Sequence, residues 1–186
     1  MYFYSIILVI VGIYFFVFSL LNILKIKKDT VFTKPVEEPF VSVLIPARNE
    51  ENNIKSCVES FLNQSYKNYE ILVLDDNSTD RTYEIVKKLE NQNPGKIKLY
   101  SGKPLPKDWR GKSFAMQQLL EYAKGEYYLF TDADTIHNEN SISMMMANIL
   151  HHDADLVSGY IGQKTKTFGE KITIPPSYLL TGLVIP

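Results

Sequence analysis

Three times in this chain a short run of β-prone apolar residues stops abruptly in a polar cluster, and this recurrence restricts the fold more than any other feature. Phe40–Ile45 leads through Pro46 and Ala47 into Arg48-Asn49-Glu50. Tyr69–Leu74 leads into Asp75-Asp76-Asn77-Ser78-Thr79-Asp80, and Tyr127–Phe130 into Thr131-Asp132-Ala133-Asp134. Runs of this length and composition read as buried strands, the first stopped by Pro46. Helical patterns separate them. Ile54, Val58, Phe61 and Leu62 form a stripe after a cap at Asn52 or Asn53. Val86 and Leu89 follow a cap at Thr79 or Asp80, and Met116, Leu119 and Leu120 follow a cap at Ser113. A further helix is expected from about Asn140 to Leu150, and further strands at Ile97–Tyr100 and Asp155–Tyr160. Strands alternating with helices predict a layered α/β fold with a mostly parallel sheet. In such a sheet all three polar clusters lie on one edge, at the C-terminal ends of the strands, where ligands bind.

Asp132 and Asp134 are two apart, so on extended backbone their carboxylates point to the same side. Two such groups repel unless a cation joins them. Hard oxygen ligands suit Mg²⁺ or Mn²⁺, shared with substrate phosphates. The bland alternative is a solvated strand-to-loop turn. His137 reads as a surface loop residue, and Asp75 to Asp80 is also a good turn and helix cap. Cys57 falls on an apolar helix stripe and reads as core; as the one cysteine it permits no internal disulfide.

With a net charge of −1 the chain lacks the basic surface of a nucleic-acid binder. Its composition is uneven. Residues 1–24 carry no charge and, as a helix, would span about 36 Å, enough to cross a bilayer core. Lys25, Lys27 and Lys28 follow, the reverse of a cleavable signal peptide, and place the C-terminal side in the cytoplasm. A single-pass cell-membrane protein with a cytoplasmic domain is predicted. Residues 25–39 read as a linker with Pro35 and Pro39. Residues 164–186 read as an apolar tail interrupted by Pro175-Pro176, which suggests the front part of a longer protein.

Competing motifs fail. Gly111-Lys112-Ser113 resembles the end of a P-loop, but Pro106 stands where the first glycine is required. No Gly-x-Gly-x-x-Gly follows the first strand, and Asp75–Asp80 lacks the glycine and glutamate of a calcium loop. No serine or cysteine has a histidine partner suited to nucleophilic catalysis.

The ordered set Val41-Ser42-Val43-Leu44-Ile45-Pro46-Ala47-Arg48-Asn49-Glu50-Glu51, Asp75-Asp76-Asn77-Ser78-Thr79-Asp80 and Asp132-Ala133-Asp134 resembles family 2 glycosyltransferases of the GT-A fold, over about residues 40–163. The leading apolar helix and Trp109-Arg110-Gly111-Lys112-Ser113 resemble a membrane-bound subgroup that includes enzymes glycosylating diaponeurosporenoate. The resemblance implies that Pro46, Ala47 and Arg48 line a nucleotide pocket with Glu50 near the ribose or base. It implies that Asp76 accepts the uracil N–H and that Lys112 faces the phosphates or an acidic neighbour. Asp132 would sit near ribose and metal, and Asp134 would ligate the metal bridging the donor diphosphate. An inverting transfer from a UDP-sugar to a lipid-like acceptor follows. It needs a general base to take the acceptor proton. Family members carry that base in a second half, expected beyond Pro186; Glu170 is the one carboxylate between Gly159 and Pro186 and lies in the wrong kind of segment. The rival expectation is a non-catalytic nucleotide-sugar-binding module. A nucleotidyltransferase shares the architecture but lacks support in a glycine-rich first loop.

Overall fold

The computed structural model describes residues 2–29, 34–159, 162–163 and 165–173. They fall into two units, Thr33–Asp153 and a second made of Met1–Phe32 with Ala154–Pro186.

In the first unit, four parallel strands stand in the order β3-β2-β1-β4: β1 Val41–Ala47, β2 Tyr69–Asp75, β3 Ile97–Ser101 and β4 Tyr127–Phe130. The register pairs Val41 with Tyr69 and Tyr127, and Ile71 with Ile97. Each crossover passes through a helix: α2 Ile54–Leu62, α3 Thr82–Gln92 and α4 Gly111–Tyr122; α5 Ser141–His152 follows β4. The chain lays β2 and β3 to one side of β1, then returns to place β4 on the other. Right-handed crossovers running in opposite directions put their helices on opposite faces of the sheet. Alternation along the strands shows the result. Val41, Val43, Ile45 and Ala47 pack with Ile71, Val73 and Ile97 against Ile54, Val58, Phe61, Val86 and Met146. Leu44, Leu72 and Leu74 pack under Ala115 and Leu119 of α4. Covered on both faces, β1 and β2 are apolar at nearly every position.

Several local expectations are corrected. Pro46 does not stop β1 but lies inside it, opposite Leu74. The Leu44 carbonyl accepts from the Thr131 N–H, so the backbone of Pro46, two residues on, faces the same side beyond the end of β4. There its missing N–H breaks no ladder. β4 is buried on one face only: Leu129 is in the core, while Tyr128 and Phe130 stand about half exposed. Asp155–Gly159 is not a strand, and Leu156 is exposed; Tyr160 lies outside the described residues. α4 begins at Gly111, two residues before the expected Ser113 cap. Asn53 occupies the N-cap of α2 without a capping bond from its side chain. Asp80 does serve α3, accepting the Thr82 N–H at 2.9 Å.

The N-terminal sides of β1, β2 and β4 are joined through Ser42. Its hydroxyl donates to buried Glu70 and accepts the Gly125 N–H, each at 2.8 Å. This junction sets where β4 starts, and so where its polar end falls.

In the second unit, α1 runs Tyr2–Asp29, beyond the uncharged stretch and through the lysines. Its most apolar part is Phe3–Asn22, whose side chains are almost all exposed. Residues 168–173 form a short helical segment in which Glu170 accepts from the Thr167 N–H while Thr167 accepts from the Glu170 N–H. That reciprocal capping occupies the Glu170 carboxylate structurally. The double proline and the rest of the tail, with residues 30–33 of the linker, lie outside the described residues.

Candidate active site

The strand order reverses between β1 and β4, and a crevice opens where their C-terminal ends diverge. Pro46, Ala47, Arg48 and Glu50 line it from β1, Asp76 from β2, Gly111, Lys112 and Ala115 from α4, and Asp132, Ala133 and Asp134 from β4. The cleft measures about 300 Å³. Every residue singled out in the sequence as a site candidate is on this wall. Gly111, Ala115 and Ala133 were not anticipated.

Two loops are laced together beneath the cleft. The Asn49 N–H donates to Ser78 and the Thr79 N–H to the Asn49 side chain. The Glu50 N–H donates to Thr82, and the Glu51 N–H to Asp80. Asn49 and Asn77 take left-handed backbone with φ of 56° and 57°, a conformation asparagine tolerates better than most residues. The polar residues at these two strand ends thus separate by task. Asn49, Glu51, Ser78 and Asp80 hold the loops, which leaves Arg48, Glu50 and Asp76 facing the cleft. Asp75 is buried and does not line it.

The Asp76 carboxylate lies between two glycines. A Cβ on Gly102 would stand 3.2 Å from Asp76 Oδ1, and one on Gly111 would stand 3.4 Å from Oδ2. Arg48 reaches the same carboxylate at 3.9 Å. On the other wall, Lys112 Nζ is 2.5 Å from Asp132 Oδ1. Asp134 has no hydrogen bond or ion pair among the described residues. Four carboxylates therefore face two cations in the cleft, a balance that would repel an anionic ligand arriving alone.

The Asp132-Ala133-Asp134 turn rests on a packed floor. The Asp132 carbonyl accepts the Thr135 hydroxyl at 2.7 Å and faces the Cys57 thiol at 3.6 Å. His137 is not the surface residue expected from the sequence. It is half buried, packs its ring at a tilt against Phe61 with centroids 4.3 Å apart and bonds the hydroxyls of Thr131 and Thr135 at 2.8 and 3.1 Å. Burial pushes its pKa down, because desolvation disfavours the charged ring. Cys57 is core, as expected: burial, reinforced by the nearby Asp134, Asp132 and Glu50 charges, pushes its thiol up to about 12. A thiol so shifted is not a nucleophile.

Residues 42–177 match the model of glycosyl transferase family 2. The chain belongs to that family. GlyG of Streptococcus pneumoniae is 34% identical over 129 residues, which cover 64% of this chain and 38% of that protein. The Escherichia coli UDP-Glc:alpha-D-GlcNAc-diphosphoundecaprenol beta-1,3-glucosyltransferase WfgD is 30% identical over 124 residues, 67% of this chain and 46% of WfgD. Staphylococcus aureus TarS 1–349 with UDP-GlcNAc superposes with a TM-score of 0.52 at 27% identity, covering 69% of this chain and 37% of that one. Mycobacterium tuberculosis glucosyl-3-phosphoglycerate synthase with Mn²⁺, UDP and phosphoglyceric acid superposes with a TM-score of 0.50 at 26% identity, covering 60% and 39%. The fold of the family 2 chain is GT-A, a parallel α/β sheet, and an apolar helix precedes it. The chain spans less than half the length of these curated relatives.

Proposed function

We propose that this family 2 chain is the donor-binding part of a membrane-anchored, inverting glycosyltransferase that moves a sugar from a UDP-sugar to a lipid-like acceptor with Mg²⁺ or Mn²⁺. The observation that carries the reading is the charge pattern of one cleft: Asp76 with Arg48 on one wall, Asp132 and Asp134 with Lys112 on the other. On this reading Pro46, Ala47 and Arg48 hold the nucleoside, Glu50 lies near the ribose or base, and the Asp76 carboxylate accepts the uracil N–H in the gap kept open by Gly102 and Gly111. Asp134, without a hydrogen bond or ion pair among the described residues, is the direct metal ligand, and Asp132 supports it from the ribose side. Two carboxylates and no larger cluster of metal-ligating side chains among the described residues suit a hard cation that completes its shell with phosphate oxygens and water. Such a cation, when bound, offsets the charge that develops on the departing nucleoside diphosphate. The first turn of α4, uncapped by any side chain, presents its N–H groups and Lys112 to the same charge. The lipid acceptor is supported by the apolar α1 and by the resemblance to membrane-bound relatives.

The test is donor binding by the full chain in detergent, titrated with UDP-glucose, UDP-GlcNAc and GDP-mannose in Mn²⁺ and in EDTA. Asp76→Ala is expected to weaken UDP by about 1–3 kcal/mol, the scale of a charged hydrogen bond, and to narrow the preference for UDP over CDP, whose base lacks that N–H. Unchanged affinity and preference would leave Asp76 outside the site. A second reading, a binding module that does not itself catalyse transfer, draws on the Glu170 carboxylate being engaged in capping. Tight donor binding with no transfer or donor hydrolysis would favour it.

The membrane reading carries its own expectation. At about 42 Å, α1 exceeds a bilayer core. The chain should stay in the pellet after alkaline carbonate, and a reporter fused after Lys28 should be cytoplasmic. Release into the soluble fraction would remove the anchor.

A further inference from the structure

We propose that Lys112 is a two-position cation: it occupies Asp132 while the cleft is empty and transfers to the donor diphosphate when a divalent cation takes Asp132 and Asp134. The inference rests on the donor reading above. The starting position is seen directly, with Lys112 Nζ 2.5 Å from Asp132 Oδ1. The pair is solvent-accessible, 63% for the lysine side chain and 49% for the aspartate. An exposed ion pair of this kind is weak and easily exchanged. Lysine suits the exchange, because its ammonium is a compact charge on a flexible four-carbon stem.

The remaining geometry gives the exchange a direction. Lys112 is the second residue of α4 and, with Gly111, lines the cleft from the first turn of that helix. A phosphate bound there lies within its natural reach. Asp134 makes no ion pair among the described residues, so the protein offers an incoming metal one available carboxylate and one already neutralised by Lys112. A metal entering alone must displace the ammonium without bringing an anion for it. A metal entering with a diphosphate displaces it onto an anion. The two ligands therefore assist each other, and that assistance is reciprocal. Lys112 thereby suppresses metal capture by the empty cleft and favours joint loading.

Lys112→Met keeps the stem and removes the charge; Lys112→Arg keeps the charge. Both substitutions fall at an exposed position, and circular dichroism confirms folding. With the full chain in detergent, Mn²⁺ binding is measured without nucleotide by electron paramagnetic resonance of the free ion. UDP binding is measured by calorimetry in Mn²⁺ and in EDTA. Lys112→Met is expected to bind Mn²⁺ roughly two- to fivefold more tightly than wild type, the weight of an exposed ion pair. It should bind UDP in Mn²⁺ about tenfold less tightly, the weight of a lost charged hydrogen bond. Lys112→Arg should stay near wild type in both. Unchanged or weaker Mn²⁺ binding by Lys112→Met overturns the proposal, as does unchanged UDP binding. If wild type binds no UDP at all, the donor reading and the transfer of Lys112 fall together, while tighter Mn²⁺ binding by Lys112→Met would still establish the competition at Asp132.

Discussion

Asp134→Asn is expected to abolish most of the Mn²⁺ dependence of UDP-sugar binding and, in a protein that turns over, to lower the rate by about two to three orders of magnitude. The residue sits past the end of β4 with an exposed carboxylate that makes no hydrogen bond or ion pair among the described residues. Asparagine keeps the size and one oxygen but removes the charge that offsets a dication. Because Asp134 is exposed and outside the core, the fold should survive, and thermal melting should coincide with that of wild type. Asp132→Asn should do less to metal binding and should also release Lys112 from its ion pair. The two substitutions are therefore distinguishable. A solvated turn with no metal would make them behave alike, with nucleotide binding indifferent to EDTA. Calorimetry of wild type and both variants, with and without EDTA, separates these outcomes; equal metal response in wild type and Asp134→Asn would remove the metal from the mechanism.

Gly125→Ala should be the most damaging single methyl in the α/β unit. A Cβ at Gly125 would lie 2.5 Å from the Ser42 nitrogen, 2.8 Å from the Tyr127 carbonyl oxygen and 2.9 Å from the Phe40 carbonyl oxygen. All three are backbone atoms at the start of β1 and β4, so no rotamer change relieves the contact. Separating the strands breaks the Gly125–Ser42 bond and strains the buried Ser42–Glu70 pair. Overpacking costs typically 1–3 kcal/mol, and the backbone setting places this case at about 3 kcal/mol. The melting temperature should fall by roughly 10 °C. Since the same junction sets the position of β4, the surviving folded fraction should also bind Mn²⁺ and UDP less tightly. Gly95→Ala is the control. No atom lies within 4 Å of a Cβ there, although its φ of 81° carries a modest backbone strain. A melting temperature for Gly125→Ala no lower than that control would contradict the close approach.

How much of this was legible beforehand depends on whether the signal was local. The apolar run-ups to Arg48 and Asp76 read as strands because burial on both faces leaves β1 and β2 almost no polar position. Their alternation with helical stripes implied a parallel sheet, and a parallel sheet puts its strand ends on one edge. The three polar clusters at the cleft followed from that placement, Lys112 came from the family resemblance, and Gly111, Ala115 and Ala133 were not anticipated. Cys57, on the stripe with Ile54, Val58 and Phe61, was legible in the same way.

The misreadings each turn on a neighbour distant in sequence. Pro46 is tolerated inside β1 because β4 ends before reaching it, a fact about strand length across the sheet. His137 looked exposed because, although Thr131 and Thr135 are local, the Phe61 ring and the Ser60 hydroxyl that cover it belong to α2, distant in sequence. Asp155–Gly159 has strand-like composition but pairs with no strand among the described residues, and propensity without pairing does not make a sheet. The local chain determined which residues carry charge at which strand ends, since those are matters of spacing and composition. The tertiary structure decided which carboxylate each cation holds, Arg48 with Asp76 and Lys112 with Asp132, and left Asp134 without an ion pair among the described residues. Those pairings join elements 20 to 28 residues apart, and electrostatic contact depends on distances in space that no local pattern encodes.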